Sequence, residues 1–278
     1  MSQKVNLNAY FERIGFAGSI APTLATLELI HALHPATIPF ENLNPFLGLP
    51  VNLDLPSLER KLLTDRRGGY CFEQNLLLMA MLRDLDFTVR GLAARVVWFD
   101  PTAIDRPPTH MLLAVDIGGA SYIADVGFGG LTLTAPLKLK ADVEQVTPHE
   151  TFRLIGGESD WTLQAQIEGE WKPLYVFDAT EHSPDYYEAP NLTLSTDPDS
   201  RFRTELRAAL SPSGKRLALR NNRFTTHVAG QPSESRLVTS VAELRELLSG
   251  TFGIQLPPAE LLDPRLEVVL ANAGVTEV

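Results

Sequence analysis

The stretch Arg66-Arg67-Gly68-Gly69-Tyr70-Cys71-Phe72-Glu73-Gln74-Asn75 decides how the rest of the chain is read. Cys71 is the only cysteine in the sequence. Two glycines stand before it. After Asn75 come Leu76, Leu77, Leu78, Met79, Ala80, Met81 and Leu82, a run of good helix formers. The thiol is therefore expected where a tight glycine turn opens into a helix. Unpaired N–H groups and the positive end of the helix dipole gather at such a point. That setting favours thiolate over thiol, and the thiolate is the nucleophile. A lone cysteine in a core is otherwise an inert small hydrophobe. The position of Cys71 between Gly68-Gly69 and a helix sets it apart from that case.

Working outward, residues 1 to about 90 read as helical. Tyr10, Phe11 and Ile14 share a face, as do Leu24, Leu27, Ile30 and His31. Pro22 suits a first helical position, and His34-Pro35 is expected to end that helix. Ile38-Pro39-Phe40-Glu41-Asn42-Leu43 reads as extended, and Pro56 opens a short helix. From Thr88 to Phe99 the pattern turns to strand. His110–Ile117 and Ser121–Val126 form a hairpin across Gly118-Gly119, and further strands are expected at 152–155, 161–167 and 171–177. This middle region suits an antiparallel sheet or small barrel. Ser183 to Ser200 reads as a polar connection. Lys215 to Val228 reads as a hairpin turning at Asn221-Asn222. Ser240 starts a capping-box helix, and 258–271 is a last helix. The expected division is 1–87 helical, 88–182 strands and 183–278 mixed.

A nucleophilic cysteine needs a base, and the base needs an orienting group. Of six histidines, His31 and His34 read as ordinary helix residues, and His149, His182 and His227 carry no further signal. His110 differs because of the hairpin. With Gly118-Gly119 as a two-residue loop, Ile117 faces Ala120 and Leu112 faces Asp125. His110 and Asp125 are then diagonal neighbours on one face, about 7–8 Å apart at the backbone. A three-residue loop would send them to opposite faces. Asp125 lies in an apolar strand, where a lone charge is expensive and an imidazolium partner relieves the cost.

On Arg67-Gly68-Gly69-Tyr70-Cys71-Phe72-Glu73-Gln74-Asn75, His110 and Asp125-Val126-Gly127-Phe128-Gly129, the chain resembles the arylamine N-acetyltransferase family. Ile38 to Leu43 and Pro198-Asp199-Ser200-Arg201-Phe202 fit as well, so the resemblance spans nearly the whole length. It implies an α+β fold with a papain-like cysteine-enzyme core: an N-terminal helical bundle, a central antiparallel β-barrel and a C-terminal α/β lid. It implies catalysis by Cys71, His110 and Asp125, with acetyl-CoA as co-substrate and no metal. An acetyl group would pass through Cys71 to an arylamine, arylhydrazine or N-hydroxyarylamine. Backbone N–H groups of Cys71 and near Thr109 would hold the oxyanion. By the same resemblance Phe40, Phe128 and Phe202 line the acceptor pocket, and Thr109, Gly127 and Gly129 meet the acyl donor. Glu41 and Arg67 are expected to pair as scaffold.

Three other readings stay open on the residues alone. They are a hydrolase or amidase with the same triad, an amide synthase, and a ligand-binding protein whose triad is silent. Composition narrows the partners. The chain has 278 residues, 44% hydrophobic, 21% charged, with net charge −10, which argues against nucleic acid. One cysteine excludes an internal disulfide, no apolar run suits a membrane span, and a cytoplasmic enzyme, monomer or homodimer, is the expectation.

Overall fold

The computed structural model describes residues 4–98, 100–157 and 159–272. Its N-terminal layer is built around one buried helix. Asn6 caps α1 (Leu7–Ile14), its side chain accepting from Ala9 N, and Gly15 ends it in a left-handed turn at φ 69°. Thr23 caps α2 (Leu24–Thr37) through Thr26 N. The helix thus starts two residues beyond Pro22 and runs through Pro35, against both sequence expectations. Pro35 lacks only the N–H of one last-turn bond, and its carbonyl accepts from Ser211 N at 2.8 Å, so tertiary contact repairs the end. Then follow β1 (Phe40–Glu41), α3 (Leu43–Phe46) and α4 (Leu55–Leu58), the last capped by Asp54 and continued by a wide π-helical turn over Glu59–Thr64.

The central helix α5 (Cys71–Asp84) is buried on almost every side, from Cys71 through Met79 and at Met81 and Leu82. Beyond its polar first turn of Glu73, Gln74 and Asn75, the run Leu76 to Leu82 is apolar all round, as a core helix is. Leu77, Leu78, Met81 and Leu82 are fully or nearly fully buried, each stabilising by about 1.5–3 kcal/mol relative to exposure.

The barrel comprises β2 (Thr88–Val96), β3 (His110–Ile117), β4 (Ala120–Ala124), β5 (Leu137–Lys138), β6 (Gln145–Val146), β7 (Thr151–Gly156), β8 (Trp161–Ile167) and β9 (Glu170–Phe177). Their order in one antiparallel sheet is β5-β4-β3-β2-β9-β8-β7-β6, curled until nearly closed. The β2 strand ends at Val96; the expected end at Phe99 lies outside the described residues. Gly118 and Gly119 have φ of 58° and 79°, the paired left-handed turn that two-residue hairpins prefer. Ile117 faces Ala120 and Leu113 faces Ala124, the register expected from the sequence.

The lid begins inside the stretch read as a polar connection, because Glu188–Thr196 is a helix, α6. Its buried residues are Asn191 and Ser195, so its inward face is polar. Next come α7 (Arg201–Thr204), β10 (Arg207–Leu210), β11 (Lys215–Arg220), β12 (Arg223–Val228), β13 (Glu234–Leu237), α8 (Val241–Glu246) and α9 (Ala259–Ala271). Asn221-Asn222 is the expected turn, with Arg220 facing Arg223. The lid sheet runs β1-β10-β11-β12-β13. Its edge strand β1 comes from the bundle, and Phe40 also bridges Gly69. The extended segment around Phe40 is thereby held between the lid and the glycine turn. Among the described residues no helix is long and apolar enough to cross a membrane.

Candidate active site

Gly68 and Gly69 make room for a buried polar floor beneath Cys71. Glu41 bonds Arg67, and its carboxylate accepts from Gly68 N at 3.3 Å and Leu43 N at 2.6 Å. Burial pushes the Glu41 carboxyl up, but Arg67 and Lys61 outweigh it and hold it below the usual range. Glu73 pairs with Lys61 at 2.6 Å and accepts from Tyr70 N at 3.0 Å, which holds the chain at the helix start. The expected Glu41–Arg67 scaffold pair is present.

A Cβ on Gly68 would lie 2.0 Å from the Pro39 carbonyl oxygen, and one on Gly69 would meet the Glu73 carboxylate at 2.6 Å. Backbone cannot step aside as a side chain does. Gly68→Ala is therefore expected to destabilise by about 2–3 kcal/mol or more, as overpacking against fixed atoms does. Denaturant unfolding checks this. A midpoint matching that of wild type would mean the turn is not held as described.

Cys71 occupies the first turn of α5, where N–H groups have no intrahelical acceptor. Its Sγ lies 3.8 Å from Thr109 O. His110 Nε2 bonds Asp125 Oδ2 at 2.7 Å, which leaves Nδ1 for the thiol. Burial alone would pull His110 down. The adjacent Asp125 carboxylate, their hydrogen bond, and then the contact with Cys71 outweigh it and push the imidazole up to about 10. Asp125 is fully buried, which would raise its pKa. His110, Asn75 and Gly127 N–H together hold it below the usual carboxylate range. The pair is therefore an imidazolium and a carboxylate at neutral pH.

The sequence pointed to the three residues of this constellation but missed the groups that hold it. Asn75 Nδ2 donates to Asp125 Oδ1 at 3.0 Å and to Met111 O at 2.7 Å, while its Oδ1 accepts from Val126 N at 3.1 Å. The signal was available: Asn75 stands one helical turn after Cys71, on the same face. Gly127 N donates to the same carboxylate oxygen, Oδ1, at 2.9 Å. His31, read as an ordinary helix residue, accepts from Asp125 N through Nε2 at 3.0 Å, and burial presses its pKa down to about 4, so it stays neutral. Tyr175 packs its ring on His110, centroids 5.1 Å apart, with burial first and Asp125 second pushing its hydroxyl well above the usual range.

A cavity of about 570 Å³ opens over Cys71 and His110. Phe40, Phe128 and Phe202 line it, as do Thr109, Gly127 and Gly129. Phe128 meets His110 edge-on at 5.2 Å, and Phe202 lies 6.3 Å from Phe40 and 5.2 Å from Tyr70. Bundle, barrel and lid thus each bring one phenylalanine to a single space. Two expectations change in detail. Thr109 N–H is committed to Ala94 O at 3.0 Å, because β2 and β3 pair at that end, so it is no free oxyanion donor; the Thr109 carbonyl faces the thiol instead. Gly127 needs its missing side chain for a protein contact, since a Cβ there would lie 2.7 Å from Cys71 Cα.

A helical bundle carrying a cysteine at a helix start, a barrel carrying histidine beside aspartate, and a lid over both define an α+β enzyme with a papain-like cysteine-enzyme core. A family model described as N-acetyltransferase matches residues 23–261. The arylamine N-acetyltransferase of Escherichia coli (strain K12) is 42% identical over 255 residues, covering 91% of this chain and 90% of that one. The solved arylamine N-acetyltransferase of M. tuberculosis superposes with a TM-score of 0.89 at 39% identity, covering 94% and 99%. That of Mycobacterium marinum, solved in complex with CoA, gives 0.89 at 37% identity, covering 95% and 98%. The chain belongs to the arylamine N-acetyltransferase family.

Proposed function

We propose that the chain moves an acetyl group from acetyl-CoA to the nitrogen of an arylamine or arylhydrazine, or the oxygen of an N-hydroxyarylamine, through an acetyl-cysteine on Cys71. The observation that carries this is His110, bonded through Nε2 to Asp125 and set beside the Cys71 thiol at the floor of a phenylalanine-lined cavity. The M. marinum relative solved with CoA supports the donor.

In the first half-reaction the Cys71 thiolate attacks the thioester carbonyl. N–H groups at the start of α5, that of Cys71 foremost, stabilise the oxyanion. As the tetrahedral adduct collapses, the bond to the CoA sulfur breaks and His110 gives that sulfur its proton. In the second, the amine nitrogen attacks the acetyl carbonyl, neutral His110 takes the ammonium proton, and Cys71 leaves as thiolate. His110 is then imidazolium again and the cycle closes. An aromatic amine suits this step because it is unprotonated at neutral pH. Phe40, Phe128 and Phe202 offer its ring an apolar, edge-rich enclosure. Thr109, Gly127 and Gly129 border the donor's path. Residues 1–87 supply the nucleophile, 88–182 the base and its acid, and 183–278 the cover.

The test is enzyme mixed with acetyl-CoA and no acceptor. A burst of CoA thiol equal to the enzyme present is expected, with one acetyl group found on the Cys71 peptide. An arylamine added next should remove it as the acetylated amine. Continuous CoA release without acceptor would instead mark a hydrolase and overturn the proposal.

A further inference from the structure

Arg216 is the most deeply buried cation among the described residues whose exposure is given, at 1%. A charge so enclosed is expensive unless every donor is answered. Its Nε donates to both oxygens of Glu150, at 2.8 and 2.9 Å, and its Nη1 donates to Ser211 Oγ at 2.9 Å. Its Nη2 bonds Glu150 again and donates to Thr132 O at 2.8 Å. One guanidinium on lid strand β11 therefore ties the β6–β7 turn of the barrel to the loop that leaves Asp125.

That loop leads directly to the site. Thr132 Oγ1 donates to Asp125 O at 2.8 Å and accepts from Phe128 N at 3.2 Å. Phe128 is the ring against His110, and with Gly129 and Gly130 it lines the cavity. Two residues along β11 from Arg216, on the same face, Ala218 lines that cavity too and lies 3.9 Å from where a Gly130 Cβ would stand. The catalytic carboxylate has its own supports in Asn75, Gly127 N and His31, none of which passes through Arg216. For Phe128 and Gly129 the turn's bonds run through Thr132 itself, whose Oγ1 accepts from Phe128 N and whose N–H donates to Gly129 O at 3.2 Å.

We propose that Arg216 is a positioning residue for the acceptor half-reaction. It locks the Phe128–Thr132 turn against the lid, so that the lid hairpin fixes the wall the arylamine packs on. This rests on the ping-pong reading above. Arg216→Lys keeps the charge but offers one compact ammonium to three separated acceptors. Glu150→Gln keeps the shape and loosens the same clamp from its other end.

The two half-reactions are timed separately in each variant: acetylation of Cys71 by acetyl-CoA, and discharge of the isolated acetyl-enzyme by an arylamine. Acetylation is expected to stay within about threefold of wild type, because the triad keeps its own supports. Discharge per unit acceptor is expected to fall about 10- to 100-fold in both variants, mainly as a raised acceptor KM, the scale of a misplaced binding wall. Equal losses in both half-reactions, or lower thermal stability with discharge unchanged, would overturn the assignment and leave Arg216 a structural clamp. A wild type that never forms acetyl-Cys71 overturns the ping-pong reading itself, and this proposal with it.

Discussion

Cys71→Ser is expected to lower arylamine acetylation by at least about 10,000-fold while the protein still folds. The loss follows from where the proton sits. His110 is held as an imidazolium by Asp125, with Cys71 contributing to its stabilisation. The proton on the imidazolium is the one the thiol gives up, and the pair that results is thiolate and imidazolium; a serine hydroxyl, far less acidic, keeps its own proton beside an imidazole already protonated. It then has neither the charge nor a free base to attack a thioester. The fold should survive because Cys71 is a small buried group and the exchange is nearly isosteric, so unfolding free energy should move by about 1 kcal/mol or less. The checks are arylamine-dependent CoA release, the acetyl mass on the Cys71 peptide, and a denaturant melt. Turnover within tenfold of wild type would end the cysteine mechanism. Lost turnover in an unfolded protein would move the question to the turn that carries the residue.

How far the sequence led can be judged at particular places. The Gly118-Gly119 hairpin was legible because two adjacent glycines allow a loop with positive φ at both residues, and that loop fixes the register. The register in turn brings His110 to the side of Asp125. The glycine turn before Cys71 was legible for a similar reason, since a helix run must start somewhere and Gly68-Gly69 marks the place. What was not legible depends on partners far along the chain. Pro35 continues its helix because Ser211 N–H reaches its carbonyl from the lid. Helix α6 escaped an apolar periodicity search because its inward residues are polar. Asn191 Nδ2 donates to Val51 O at 3.0 Å, and its Oδ1 accepts from the Tyr70 hydroxyl. Arg216 reads in sequence as an ordinary strand residue; only the meeting of barrel turn, lid hairpin and the loop after Asp125 gives its guanidinium five hydrogen bonds. Tertiary contact of this kind routinely overrides local preference.

Asp125→Asn is expected to reduce turnover by roughly 1,000- to 10,000-fold, the scale of losing the acid that orients a catalytic imidazole. Asn75 Nδ2 and Gly127 N already donate to Oδ1, so that position must keep an oxygen. The new NH2 group is thereby directed at His110 Nε2, which becomes an acceptor. The ring proton moves to Nδ1, the side facing the thiol, where a base is needed. The electrostatics point the same way. With the carboxylate gone, burial is the leading influence left on His110 and pulls it below its ordinary 6.5. The pH profile follows with a definite sign. In wild type, acetylation by acetyl-CoA should hold through neutral pH and fall as pH rises through about 10, where the imidazolium is lost. The stability this raised pKa contributes is fully present below 6.5 and disappears over the same rise. The lowered Asp125 pKa contributes stability that is present above 3.8 and lost on acidification. In Asp125→Asn the alkaline fall should move down by several pH units, and unfolding temperature should lose the share of each limb that this pair contributes. A variant whose alkaline limb still lies near 10 would show that something other than Asp125 holds the proton on His110, and the triad as drawn would have to be abandoned.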